Sequence, residues 1–337
     1  MKAMKTSIPP SHEHPFAQFV RILGKGKKGS RPLTEDEAFQ AMQMIMQGEV
    51  LDVQLGAFLM LLRVKEETAE ELLGFVRAVR SSVTPPQPLR VDLDWSSYAG
   101  KRRHLPWYLF SIFLLAAHGH RVLVHGASGH TIDRIYTEDV LTDLGVPVAA
   151  DWSSCAAQLD QRNFSYFPLR NLCPRLHDII ELRNIMGLRS PVHTLSRLIN
   201  PAGAPCVIQG IFHPGYRPVH QVAALALGYS RVDVIKGEAG EIERNPDIEC
   251  LVQSVRNGEL VDETWPALFK QRHVKEESLD LTTFVKVWRG ELHHEYGEAA
   301  VTGTLAIALK LLGQADSQEA AQTLANQWWQ ERDRALF

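Results

Sequence analysis

The chain changes texture once, at Thr84-Pro85-Pro86-Gln87-Pro88, and this break constrains its fold more than any other feature. Before it, apolar residues recur only at helical spacing. After it, short apolar runs alternate with longer helix-like segments. Proline fixes φ and withholds an amide donor, so the stretch reads as a stiff linker between two kinds of architecture.

The helical part carries its own start and stop signals. Phe16, Phe19, Val20 and Leu23 share a helical face that Gly24 ends. Thr34 and Glu37 have the spacing of a capping box, in which the hydroxyl serves one amide and the carboxylate another. Ala38, Ala41, Met42 and Ile45 then form a stripe ending at Gly48. Asp52 is placed to cap a third helix bearing Leu55, Phe58, Leu59 and Leu62. Thr68 with Glu71 opens a fourth, bearing Leu72, Phe75, Val76 and Val79.

Beyond the linker, strands are predicted at Val91–Leu93, Arg121–Val124, Ser165–Pro168, Cys206–Phe212 and Arg231–Ile235. Helices are predicted from Pro106 to His118 and from Thr131 to Leu144, with three more closing the chain, the last from about Ser317. Such alternation specifies an α/β fold with a mostly parallel sheet covered on both faces. The expected domains are a disordered tail over 1–15, a helical domain over 16–84 joined by helices from about 171–198, and an α/β domain over 89–337. The His12-Glu13-His14 of the tail lacks the preformed geometry of a metal site.

Composition excludes several classes. The 337 residues carry 36 Lys+Arg against 39 Asp+Glu, a net charge of −3, so nucleic-acid affinity has to come from local clusters of charge. Cys155, Cys173, Cys206 and Cys250 form no C-x-x-C pair. That argues against a zinc knuckle or disulfide framework and for a reducing, cytoplasmic setting. No apolar run approaches the ~20 residues of a membrane span.

In an open α/β sheet, ligands bind beyond the carboxyl ends of the strands. Four stretches meet that condition: 95–104, 125–129, the helix with His177, Arg183 and Arg189, and 237–243. In this order they resemble the anthranilate phosphoribosyltransferase family, glycosyltransferase family 3. Arg183-x-x-Met186-Gly187-x-Arg189 followed by Leu195-x-x-Leu198-x-Asn200-Pro201 is similar to the family's R-x-x-L-G-x-R-T…L-G-P-L-x-N-P. Val124-His125-Gly126 resembles its K-H-G, and Pro174-x-x-His177 its P-x-x-H. The resemblance implies a nucleoside phosphorylase/phosphoribosyltransferase fold with a vestigial substrate pocket of His125, Gly126, His177, Arg183 and Arg189.

The departures from the family are as informative. Members grip phosphoribosyl pyrophosphate with a G-T-G-G-D-G loop and an N-x-S-T helix start, using bare amides and a helix terminus. The corresponding residues here are Ser96-Ser97-Tyr98-Ala99-Gly100-Lys101 and Pro106-Trp107-Tyr108-Leu109. The family's metal-holding D-E pair becomes Ile242-Glu243. One remaining carboxylate, Glu243, is a poor magnesium site, so no metal, cofactor or catalytic residue is expected.

Positive charge has been gained instead, at Lys101, Arg102, Arg103 and His104, at Arg197, and at Lys25, Lys27, Lys28 and Arg31. These suit a phosphodiester backbone. Trp95, Tyr98, Trp107 and Tyr108 offer stacking faces for unpaired bases, although the last two also suit packing within their helix. A branch of the family similar in these losses binds nucleic acid without marked sequence preference and forms homodimers. The expectation is therefore a non-membrane, nucleic-acid-binding homodimer, with Leu55, Phe58, Leu59 and Leu62 as a candidate dimer face.

The alternative is a phosphoribosyltransferase acting on an aromatic acceptor with magnesium and phosphoribosyl pyrophosphate, its acceptor pocket lined by His125, His177 and Arg183. Two other motifs fail. His130 stands where a nucleophile elbow needs its last glycine, and Gly24-x-Gly26-x-x-Gly29 follows a helix rather than the strand a dinucleotide site requires.

Overall fold

The computed structural model describes residues 13–274 and 279–336. Most of the expected tail, with His12, lies outside the described residues. In chain order the first elements are α1 (Ala17–Gly24), α2 (Glu35–Met46), α3 (Asp52–Lys65) and α4 (Ala69–Val83). There follow β1 (Leu93–Ser97), α5 (Tyr108–Ala117), β2 (Val122–Gly126), α6 (Thr137–Asp143), α7 (Trp152–Arg162), β3 (Phe164–Pro168) and α8 (Leu169–Leu172). Three short helices come next: α9 (Pro174–Glu181), α10 (Arg183–Met186) and α11 (Val192–Leu195). The chain closes with β4 (Cys206–Ile211), α12 (Tyr216–Ala226), β5 (Arg231–Lys236), β6 (Cys250–Arg256), β7 (Glu259–Trp265), α13 (Leu281–Arg289), α14 (Glu295–Leu312) and α15 (Gln318–Glu331). The described residues divide into two compact units, one from 13–84 and Cys173–Ile199, the other from Pro85–Leu172 and the described part of 200–336.

In the first unit both capping boxes form. Thr34 Oγ1 accepts the Glu37 amide at 3.3 Å and Glu37 accepts the Thr34 amide at 3.0 Å. Thr68 and Glu71 do the same at 3.2 and 2.9 Å, and Glu71 also accepts the Leu33 amide at 2.9 Å, tying α4 to the start of α2. Gly74 permits that approach, since a Cβ there would sit 2.3 Å from the Glu35 carbonyl oxygen. The third helix starts one step early: Leu51 is its cap position, its amide bonded to Gln54, and Asp52 is already helical. Phe58 packs edge-on against Phe16 at 5.2 Å and Phe75 at 6.1 Å. Leu55, Phe58, Leu59 and Leu62 are all buried, so the face expected to dimerise is consumed by this unit's own core.

The second unit is built on a seven-stranded sheet of order β3-β2-β1-β4-β5-β6-β7. Strands β1 to β5 run parallel, and β6 and β7 add an antiparallel hairpin. The sequence reading did not anticipate the hairpin. Its two turn residues, Asn257 and Gly258, have φ of 51° and 89°, the positive values a tight hairpin turn requires. Helix α5 is apolar all round and is buried from Tyr108 through Ala116, as an interior helix must be. It shares one core with α13, α14, α15 and the inward residues Trp95, Val124, Tyr166 and Ile208.

Two boundaries of the second unit differ most from expectation, both for tertiary reasons. Strand β1 runs on to Ser97 because it pairs with β2 through Gly126. Helix α6 begins only at Thr137, because Ile135 exchanges backbone hydrogen bonds with Lys101 at 2.8 and 2.9 Å. No described helix is long and apolar enough to cross a membrane.

Candidate functional site

At the carboxyl end of the second unit's sheet, the loops after β1 and β5 meet. The turn after β5 is tight: a Cβ on Gly237 would lie 1.5 Å from the Glu241 carbonyl oxygen, so only glycine fits. Ala239 and Gly240 continue it at φ of 57° and 94°. The chain emerges with Glu241 and Glu243 both buried. Glu241 Oε1 accepts the amides of Ala99 and Gly100, each at 2.6 Å. Glu243 accepts the Tyr108 amide at 3.0 Å, at the first residue of α5, and pairs with the Lys101 ammonium.

Adjacent bare amides and a helix start are where a fold of this kind holds an anion. Here both positions are filled by the chain's own carboxylates.

Several expected nucleic-acid contacts are corrected by this geometry. Lys101 is 0% exposed, because a buried carboxylate draws it inward, so it cannot reach a phosphate. His104 is buried and stacked on Tyr296 at 4.1 Å. Arg197 is buried and donates to the His193 carbonyl. Arg31 is exposed but holds Glu37 through paired bonds of 2.6 and 2.7 Å. That guanidinium keeps the Glu37 carboxyl down at about 2, so Arg31 serves a helix cap. Lys25, Lys27, Lys28, Arg102 and Arg103 are exposed.

The four candidate stacking aromatics are all buried: Trp107 and Tyr108 pack within the core, as their helix suits, and Trp95 and Tyr98 are buried too. Trp95 and Tyr108 stack on each other at 6.3 Å. The Tyr98 hydroxyl bonds His125 Nδ1 at 2.7 Å, and His125 Nε2 meets Asp94 at 3.3 Å. His125 is thus an interior histidine with both ring nitrogens engaged, not a pocket wall. Gly126 is needed for strand approach, since a Cβ there would sit 2.0 Å from the Ser97 carbonyl oxygen. His177 on α9, Arg183 on α10 and Arg189 beyond it belong to the first unit and are half-buried.

The second unit holds a cleft of about 900 Å³ whose lining includes Arg102, Arg103, Arg134, Lys236 and Arg272 against Glu238 and Asp247. Lys236, Arg134 and Arg272 escaped the sequence reading. Only Lys236 carried a signal, as the last residue of a strand at the ligand end of the sheet. Arg134 Nη1 donates to the carbonyls of Ala99 and Gly100 at 2.8 and 3.1 Å, bracing the loop that presents Arg102.

Asp247 is engaged by His273, through the backbone amide at 2.8 Å and Nδ1 at 2.6 Å. Burial disfavours protonated His273, but Asp247 and Glu295 outweigh it and raise its pKa above the ordinary value. With Arg102, Arg103, Arg134, Lys236 and Arg272 against two carboxylates in its lining, the cleft is a cationic surface.

Among the described residues no group of three or more His, Cys, Asp or Glu is placed to hold a metal ion. Nor do the residues suit a magnesium diphosphate. Ile242 offers no ligand, and Glu243 is spent on Lys101 and the α5 amide.

Residues 18–83 match the helical bundle domain of the glycosyl transferase family. The chain is 31% identical over 238 residues to an anthranilate phosphoribosyltransferase of Dechloromonas aromatica, covering 68% of each. It is 30% identical over 237 residues to YbiB of Escherichia coli, an uncharacterized protein, covering 68% of this chain and 73% of that one. Among solved structures, anthranilate phosphoribosyltransferase from Thermus thermophilus superposes with a TM-score of 0.76 at 21% identity, over 94% of both chains. The Saccharomyces cerevisiae enzyme in complex with PRPP and Mg superposes with a TM-score of 0.75 at 15% identity, over 94% of this chain and 93% of that one.

Proposed function

This chain belongs to the anthranilate phosphoribosyltransferase family, and from that premise we propose that it binds nucleic acid without sequence preference instead of transferring phosphoribosyl groups. One observation carries the reading: the amides of Ala99, Gly100 and Tyr108 are occupied by Glu241 and Glu243, while Arg102, Arg103, Lys236 and Arg272 line the open cleft. A diphosphate would have to displace two buried carboxylates. A phosphodiester backbone needs only exposed cations, and each phosphate neutralised releases counterions. Lys25, Lys27 and Lys28 of the first unit add exposed charge of the same sign. In this reading the protein is a cytoplasmic homodimer that needs no cofactor.

Titrating the protein with oligonucleotides at several salt concentrations tests the proposal. Four phosphate contacts predict a log–log slope of about −3 to −4 on duplex, and Arg102→Ala/Arg103→Ala makes it shallower by roughly 2. Equal slopes for both proteins overturn the assignment of the cleft. Calorimetry with magnesium and phosphoribosyl pyrophosphate is expected to show no binding heat; saturable heat restores the transferase reading. Light scattering checks the dimer, which a monomer at micromolar concentration contradicts.

A further inference from the structure

One large aromatic ring opens onto the cleft. Phe212 follows β4 directly, lines the cleft with Arg102, Arg103, Lys236 and Arg272, and is 53% exposed. Its position is set by the fold. The preceding Ile211 carbonyl accepts the Gly237 amide at 3.1 Å. Gly240, at φ 94°, packs so closely that a Cβ there would lie 3.3 Å from the Phe212 Cβ. His213 adds a T-shaped contact at 4.9 Å. Isolated exposed apolar side chains are ordinary on protein surfaces. A ring mounted on a fixed backbone among cations is a different arrangement, because it pairs a flat apolar face with charges able to hold a phosphodiester chain.

We infer that Phe212 is a stacking platform for an unpaired base, and that the cleft accordingly prefers single-stranded nucleic acid to duplex. The inference rests on the nucleic-acid reading above and adds a substrate class to it. Phosphates are common to both forms, so the cations alone do not discriminate between them. The ring does, since every base has a face to lay on it in a single strand. A duplex has first to unstack and unpair that base, at a cost comparable to what the platform returns.

The test measures binding of the full chain, by fluorescence anisotropy at one fixed salt concentration, to three probes of equal length. These are a single-stranded oligonucleotide, the corresponding duplex, and a base-free phosphodiester strand. The single strand is expected to bind most tightly. Phe212→Ala should weaken it by about 5- to 100-fold and leave the base-free strand within about twofold of the native protein. Phe212→Trp should keep the affinity, and adding the single strand should quench more tryptophan emission than it does in the native protein, whose seven tryptophans set the background.

If Phe212→Ala binds the single strand like the native protein, with salt dependence intact, stacking is overturned and nucleic-acid binding stands. If the native protein binds none of the probes, both fall. Should Phe212→Ala fail to fold, the Trp variant decides, and quenching on a bound strand no greater than that of the native protein overturns the platform.

Discussion

Lys101 and Arg102 are neighbours with the same charge and opposite fates. Lys101 is on the inner wall, fully buried against Glu243, while Arg102 faces the cleft. The difference teaches that a cationic run is not one feature. Inward, a charge has to be matched, by a carboxylate as at Lys101 or by a backbone carbonyl as at Arg197, because desolvation without a partner is prohibitive. Outward, water solvates the charge at little cost and leaves it available to a ligand.

Breaking the inner wall should produce the largest effect. Lys101→Met leaves the buried Glu243 without its counter-charge and should cost about 3–5 kcal/mol in urea unfolding, whereas Arg102→Ala should stay within about 0.5 kcal/mol of the native protein. Lys101→Met/Glu243→Gln should recover much of the loss, because glutamine still offers an acceptor to the Tyr108 amide. Equal stability of Lys101→Met and Arg102→Ala would erase the distinction between the walls.

Glu241→Ala is a gentler version of the same test. It strips the acceptor from the Ala99 and Gly100 amides and should cost about 1–3 kcal/mol. It should also open an anion position, so that millimolar phosphate raises the melting temperature of the variant more than that of the native protein. Equal phosphate effects on both would show that Glu241 is not standing in for a bound anion.

The smallest effect belongs to an outer pair, Arg31 with Glu37. Since Arg31 lowers the Glu37 carboxyl from 4.5 to about 2, the pair's stabilisation is present above about pH 4.5 and is lost as pH falls toward 2. Thermal melts across that window should show the native protein losing more stability than Glu37→Gln. Parallel losses would mean the pair contributes nothing measurable, the common fate of exposed ion pairs.

What could be read in advance followed the range of the interactions. Thr34 with Glu37 and Thr68 with Glu71 act across a single helical turn, so the local pattern specifies them. Strands β2 and β4 announced themselves as apolar runs, as strands buried on both faces often do, whereas β1, Leu93-Asp94-Trp95-Ser96-Ser97, is largely polar and was legible only at Leu93. The β6–β7 hairpin did leave a signal, Asn257-Gly258, but its flanking strands carry Gln253, Ser254, Asp262 and Glu263 and lack a clean apolar face. Trp95 and Tyr98 looked like base platforms and proved to be core, Trp107 and Tyr108 pack within the core as their helix suits, and Phe212 was read only as a strand end.

The sequence alone determined the two architectures, the helix caps and the loss of the glycine cradle, because each depends on residues close together in the chain. Tertiary structure alone decided which cations face solvent and which carboxylates occupy the amides of Ala99, Gly100 and Tyr108. Lys101 meets Glu243 across 142 residues. Whether a charged side chain turns inward depends on what the fold brings to meet it, and no local pattern encodes that.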